Sequence, residues 1–398
     1  MSIDIRRAEQ TDLTEIVTLD YRNFGVMANP GDDQAVADLL DLDRFLVATD
    51  GDQMVAAGGT FQLELTIPGG STLPISAVTW VSVLASHRRR GILRGLMSGL
   101  DELAEEFEEP ILGLSASEGP IYERFGYGVS TKCRVIELDR RRAQIDPKWE
   151  PEPVRLVNAA DHVEEMLACY DRYRLTQPGE VSRSEALFRD QNIEKNRPDF
   201  AAIHPDGYAI WEVQPDWNHG HPAHVLTVKD LIAVTPEAHL ALWNILLSVD
   251  LVGPIRTIRS VAADDALPYL LTDQRALRTV EANDFLWLKV ADAARCFEPR
   301  SFRTDDRLVV GIVDDELPAS GAEPAAPVEV ISLGRGGSFQ TDDPYDIIAA
   351  RSALGPLLLG VSAAELEAGR RLRAKTDILE RADAMLGVGR TAHCRTSF

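Results

Sequence analysis

Trp80-Val-Ser-Val-Leu-Ala-Ser-His-Arg-Arg-Arg-Gly-Ile-Leu-Arg94 joins the end of a strand, a basic turn and the start of a helix in one short stretch. Upstream, the apolar and β-branched run from Ile75 to Val83 predicts the strand. Downstream, Ile92, Leu93, Leu96, Met97, Leu100, Leu103, Ala104 and Phe107 recur at helical spacing, and Pro110 ends the pattern. Ile111 to Leu114 predicts a further strand, so residues 77 to 115 read as a strand-turn-helix-strand unit whose chemistry belongs at the turn. A helix start offers unpaired backbone N–H groups and partial positive charge. Gly91 permits a close backbone approach, and Arg88, Arg89 and Arg90 add full charges, so the turn predicts a cradle for an anion such as a pyrophosphate.

Working outward, Ile3 to Arg6 predicts a strand, and Asp12 with Glu15 predicts the start of a helix through Ile16, Val17 and Leu19. Phe45 to Ala48, Met54 to Ala57, Phe61 to Ile67 and Ile75 to Val83 read as an antiparallel meander with turns at Asp50-Gly51 and Pro68-Gly-Gly70. The proline-containing stretch from Arg140 to Pro153 reads as a linker. After it, helices at Asp161 to Tyr173 and Pro236 to Val249 alternate with strands in a rough copy of the first region. Beyond Phe285 to Val290 a third region has strands near Leu308 to Val310 and Val328 to Leu333, a loop from Leu317 to Pro327, and a helical remainder.

The chain has 398 residues, enough for two or three domains, and we expect three. It carries 41 basic and 63 acidic residues, a formal charge of −22, which disfavours nonspecific nucleic-acid binding and suits cationic small molecules; a solvated acidic surface is the better account of the total. No secretory signal opens the sequence and no apolar run is long enough to span a bilayer, so a cytoplasmic protein without a membrane partner is expected. Cys133, Cys169, Cys296 and Cys394 are scattered and predict reduced thiols rather than a metal knuckle or a disulfide framework. His219-Gly-His221-Pro-Ala-His224 has no metal-ligand spacing and reads as a solvated loop, so no metal is expected. Gly334-Arg-Gly-Gly337 reads as a tight turn, and Leu357 to Val361 as part of a core helix.

Val81 and Val83 suit a strand edge that pairs with an extended ligand bearing amides, such as pantetheine, although an ordinary core strand also explains them. Val81-Ser-Val83 followed by Arg88-Arg-Arg-Gly91 resembles the coenzyme A motif of the GNAT acetyltransferases, in which Gln or Arg is followed by two residues, Gly, one residue, and Gly or Ala. Leu93 departs from that last position, but His87-Arg-Arg-Arg-Gly-Ile-Leu-Arg94 is similar to the variant in the Eis (enhanced intracellular survival) acetyltransferases. Ser117-Glu-Gly-Pro-Ile-Tyr-Glu-Arg-Phe-Gly-Tyr-Gly128 resembles that family's second motif, and the terminal Phe398 agrees.

The resemblance implies an α+β fold. A GNAT domain with the active site (1–146) would be followed by a degenerate second one (147–290), each a mixed central sheet flanked by helices. A sterol-carrier-protein-like domain (291–398) would return its C-terminus to the active site. It implies a homo-hexamer that moves the acetyl group of acetyl-coenzyme A to primary amines of a polycationic acceptor, aminoglycosides first, at several positions. Tyr122 would be the general acid for the departing thiolate, the Phe398 carboxylate the general base, and the Val83 N–H an oxyanion donor. Val81, Ser82, Val83, Arg88, Arg89, Arg90, Gly91, Ile92, Leu93, Arg94, Ser117 and Glu118 would contact coenzyme A. Phe24 and Trp80 would line the amine pocket. Phe398 would have to be buried and tied down, unlike most termini. A protein lysine or a polyamine as acceptor, and a lipid-binding protein with an idle coenzyme A site, remain as alternatives.

Overall fold

The computed structural model describes residues 3–193, 200–258, 261–314, 317–318 and 325–398. Its first sheet runs in the order Ile3–Arg7, Phe45–Asp50, Gln53–Thr66, Thr72–Val83, Ile111–Ser115, Leu286–Val290, Gly128–Val129. Side chains alternate across a strand, and the first strand uses this to bind two helices on opposite faces. Ile5 packs under Gly95 and Arg7 pairs with Glu106, both on the helix Ile92–Glu106. Arg6 turns the other way to Asp12, 2.7 Å away, at the start of the helix Leu13–Asn23. Asp12 therefore does not cap that helix through its side chain; its carboxylate takes Arg6 and the Glu9 N–H instead.

The segments Met54 to Ala57 and Phe61 to Ile67, expected as two strands, are one strand, Gln53–Thr66. Gly58 and Gly59 let it continue: a Cβ on Gly59 would lie 2.4 Å from the Phe45 ring. The strands Thr72–Val83 and Ile111–Ser115 are parallel and joined by the helix Ile92–Glu106, as the sequence predicts.

A second seven-stranded sheet has the order Leu277–Asp284, Lys132–Asp139, Val252–Thr257, His224–Ala233, Gly207–Gln214, Phe200–His204, Arg155–Asn158. Here too a helix, Pro236–Ser248, joins two parallel strands, His224–Ala233 and Val252–Thr257. Sheet membership does not follow the expected boundaries at 146 and 290. Lys132–Asp139 leaves the first region to pair between Leu277–Asp284 and Val252–Thr257, whereas Leu286–Val290 returns to pair between Ile111–Ser115 and Gly128–Val129. The reason is edge pairing: each exchanged strand satisfies two rows of backbone groups that the receiving sheet would otherwise expose.

The third region holds a sheet in the order Phe339–Gln340, Glu329–Gly334, Arg307–Val313, Ile347–Ala350, Leu372–Arg373, with helices Arg351–Leu358, Ala363–Ala368 and Thr376–Leu386. Gly334 to Gly337 is the turn between two of these strands, with Gly337 at φ +112°. Leu357, Leu358 and Leu359 are core residues. Six residues of the loop expected at Leu317 to Pro327, 319–324, lie outside the described residues. The first sheet and the third region share one hydrophobic cluster, while the second sheet is packed by two others. All four cysteines are buried and unpaired with one another. Among the described residues no helix is long and apolar enough to cross a membrane.

Candidate active site

The chemistry-bearing end of Thr72–Val83 is shaped by a bulge and a splay. Ala57 pairs with Ser82 and Gly59 with Thr79, so Trp80 and Val81 together face the single Gly58. Trp80 adopts φ +53°, rare for a bulky residue, and the bulge re-aims the strand. On its other edge, parallel pairing with Ile111–Ser115 covers only Ile75, Ser76 and Ala77. Leu114 and Ser115 pair with Trp287 and Leu286 on the far side instead. From Val78 to Val83 that edge therefore has no strand partner among the described residues, and it can hydrogen-bond an extended ligand inserted between the strands.

At the mouth of this opening the turn places Arg89 (φ +65°) and Gly91 (φ +84°) in the left-handed region just before Ile92 starts its helix. The helix has no side-chain cap, and a Cβ on Gly91 would meet no atom within 4 Å, so the turn is open at Gly91. Arg88, Arg89 and Arg90 are exposed. Arg88 leans its Nε toward the Val83 carbonyl at 3.5 Å, and Arg90 lies 3.7 Å from Asp50, which also takes His87 at 3.3 Å. Leu93 is half-buried and Arg94 exposed in the first turn. A pyrophosphate and a diamide chain fit these groups: donors and cations at the turn, a free strand edge beyond it.

The other wall follows Ser115. Ser117 and Glu118 are exposed, and two short 3₁₀ turns, Gly119–Ile121 and Glu123–Phe125, bring Tyr122 inward, closed by Gly126 at φ +88°. Tyr122 is buried and meets the Tyr127 ring edge-on at 6.1 Å. Burial, then the charge of Glu118, holds its phenol above the ordinary value, so the group is a proton donor at neutral pH.

Phe398 is half-buried rather than buried, resting against the hydrophobic cluster of the first sheet. What is buried is the tail before it. Thr396 Oγ1 lies 3.0 Å from the Tyr170 hydroxyl and accepts from Arg183 Nε at 2.8 Å. Arg183 also donates to Asp230 at 2.6 Å, and Arg395 donates to Glu180 at 2.9 Å and to the Tyr173 hydroxyl at 2.7 Å. Gln191 holds the Ser397 carbonyl, and on the helix Leu13–Asn23 burial, then the charges of Asp32, Asp190 and Asp20, holds the Tyr21 phenol above its ordinary value. The chain end is thus brought toward the helix that packs on Thr72–Val83. Phe24, at the end of that helix, is 65% exposed, and Trp80 is half-buried.

The second parallel unit lacks the anion cradle. Its helix begins with a Thr235 side-chain cap, then Pro236 and Glu237, which remove a donor and add a negative charge where the first unit has Gly91 and arginines. Arg395 donates to the Leu231 carbonyl on His224–Ala233, so the tail is tied to a strand of that unit. A separate cavity of about 740 Å³ lies between Gly128 to Lys132, Trp287 and the third region. It touches the candidate centre only through Glu123 and contains neither Tyr122 nor Phe398.

Sequence reasoning missed two features: the buried anchors of the tail, which are far apart in sequence, and Asp20. Asp20 follows Leu13, Ile16 and Val17 on the buried stripe of its helix and accepts from Ser82 Oγ at 2.7 Å. The signal was present, a carboxylate at a position where the helical pattern asks for an apolar residue.

Known proteins match this architecture. An acetyltransferase (GNAT) domain family matches residues 4–130, and a second acetyltransferase (GNAT) domain family matches residues 179–290. The N-acetyltransferase Eis of Mycobacterium tuberculosis is 32% identical over 401 residues, covering 96% of both chains. This chain belongs to the Eis family of N-acetyltransferases. An N-acetyltransferase of Streptomyces griseus is 30% identical over 424 residues, covering all of both chains. The crystal structure of Eis1 from Mycobacterium abscessus superposes with a TM-score of 0.87 at 29% identity over the full length of each. Like other GNAT enzymes, an Eis-family enzyme takes its acetyl group from acetyl-coenzyme A, and this chain carries the tandem GNAT architecture of mixed sheets and helices.

Proposed function

We propose that this Eis-family enzyme acetylates primary amines of polycationic small molecules, aminoglycosides first among them, at more than one position. The observation that carries the reading is the convergence of a free strand edge at Val78 to Val83, a basic helix start at Arg88 to Ile92, and a chain end anchored toward the same strand. Acetyl-coenzyme A supplies an activated thioester. Gly91, Ile92, Leu93 and Arg88, Arg89, Arg90 and Arg94 hold its phosphates, Val81, Ser82 and Val83 its pantetheine, and Ser117 and Glu118 the far wall. The Val83 N–H polarises the carbonyl. The amine nitrogen forms the new C–N bond as the C–S bond breaks; Tyr122 gives its proton to the leaving sulfur, and the Phe398 carboxylate takes the proton from the amine. Phe24 and Trp80 offer apolar faces to the acceptor. In this reading residues 291–398 form the sterol-carrier-protein-like domain, the enzyme is a cytoplasmic homo-hexamer, and no metal takes part.

The test is coenzyme A release with a panel of aminoglycosides, spermidine and a lysine peptide, comparing the intact protein with Tyr122→Phe and with a chain lacking Phe398. Turnover of aminoglycosides that falls about 10²–10⁴-fold in Tyr122→Phe supports the acid assignment, and a comparable fall on removing Phe398 supports the base. Turnover of the peptide alone moves the acceptor to protein lysine. Cofactor binding with no transfer to any amine sinks the substrate assignment.

A further inference from the structure

The buried carboxylates Asp12, Glu109, Glu180 and Asp230 each hold an arginine: Arg6, Arg44, Arg395 and Arg183 respectively. Asp20, on the inward stripe of the helix Leu13–Asn23, has no such arginine among the described residues. It is half-buried, and its one hydrogen bond among the described residues comes from the neutral Ser82 hydroxyl. Desolvation raises its carboxyl above the ordinary range, partly offset by Ser82, which marks a charge that the folded chain does not compensate. Its position is unfavourable in a second way, because the last turn of a helix presents its negative end to the side chain. A leucine or alanine there would continue the stripe of Leu13, Ile16 and Val17 without either cost.

Ser82 lies between Val81 and Val83, and its hydroxyl points to the face covered by Leu13–Asn23. The phosphate cradle belongs to the helix Ile92–Glu106 on the opposite face. A thioester reaching through the splayed strands is therefore open to an amine from the Asp20 side. Asp20 and Asp190 both act on Tyr21, and Gln191 holds Ser397, so this side also carries the chain end.

We propose that Asp20 is an acceptor-binding residue: its carboxylate pairs with an ammonium group of the acceptor other than the amine being acetylated, and so selects amines with at least two cationic centres. This rests on the polycationic reading above. A bound ammonium supplies the counter-charge that the protein omits, and Ser82 fixes the carboxylate in place.

The experiment uses the full chain with Asp20→Asn, which keeps an oxygen for Ser82, and Asp20→Leu, which fills the apolar stripe. For the most active acceptor of the panel, KM is expected to rise about tenfold or more in both variants, with a weaker salt dependence, while the KM for acetyl-coenzyme A stays unchanged. Asp20→Leu should also melt at the same or a higher temperature than the unaltered protein, separating loss of binding from loss of fold. An unchanged acceptor KM, or a fall in kcat with a matching rise in the acetyl-coenzyme A KM, overturns the proposal. If no panel amine is acetylated, the polycationic reading fails, and calorimetric binding of spermine to the coenzyme A-saturated protein decides the Asp20 role by itself. Spermine binding weakened in Asp20→Asn supports that role; equal binding, or none to the unaltered protein, overturns it.

Discussion

At the scale of single residues, Tyr122 and His393 illustrate how burial sets chemistry. The Tyr122 phenol, held up by its surroundings, stays protonated through mildly alkaline pH; under the proposed mechanism loss of the acid limits kcat only above about pH 10, and an alkaline limb that begins near pH 8 would assign the acid elsewhere. His393 is fully buried in the tail, and desolvation pushes its imidazole down to about 3. In the unfolded chain the ring takes up its proton near pH 6.5, so the unfolded state binds more protons between those values. The stability gained from the neutral ring is present above about 6.5 and is lost as pH falls toward 3. Melting temperatures of the intact protein should fall more steeply between pH 7 and 4 than those of His393→Gln; parallel curves would show that other groups dominate.

Among elements, the turn before Ile92–Glu106 was legible because each requirement is local: arginines, a glycine, and an apolar repeat at helical spacing. The structure puts Gly91 at φ +84° there, with nothing in front of it. Gly91→Ala would strain that conformation by about 1–2 kcal/mol and put a methyl group where the proposed mechanism brings a phosphate, so the KM for acetyl-coenzyme A should rise severalfold with little change for the acceptor. An unchanged cofactor KM would place the pyrophosphate elsewhere. The bulge at Trp80 was not legible, because a positive φ at a tryptophan is imposed by its sharing, with Val81, the position opposite Gly58 rather than by its own preference. Nor was the continuous strand Gln53–Thr66, where two glycines look like a break but Gly59 makes room for Phe45 and Gly58 lies against Val81.

For the whole molecule, the first parallel unit with its helix was readable and the second region as a rough copy of the first, but the exchange of Lys132–Asp139 and Leu286–Val290 was not. A strand's sequence encodes its faces, not which sheet takes its edges. The tail is the other long-range feature, joined to residues some two hundred positions earlier. Glu180→Gln would leave the buried Arg395 without its counter-charge and should destabilise the fold by about 3–5 kcal/mol in urea unfolding, with activity falling as the chain end loosens. A stable variant with full activity would mean that the anchor does not govern the site.

The exchanged strand also fixes when the first sheet can be finished. Leu286–Val290 lies between Ile111–Ser115 and Gly128–Val129, so the sheet that carries the candidate centre stays incomplete until the ribosome has made residue 290. At roughly 5–20 residues per second, the nascent first domain waits on the order of ten seconds or more with an open edge, a period in which chaperone binding or mispairing competes with closure.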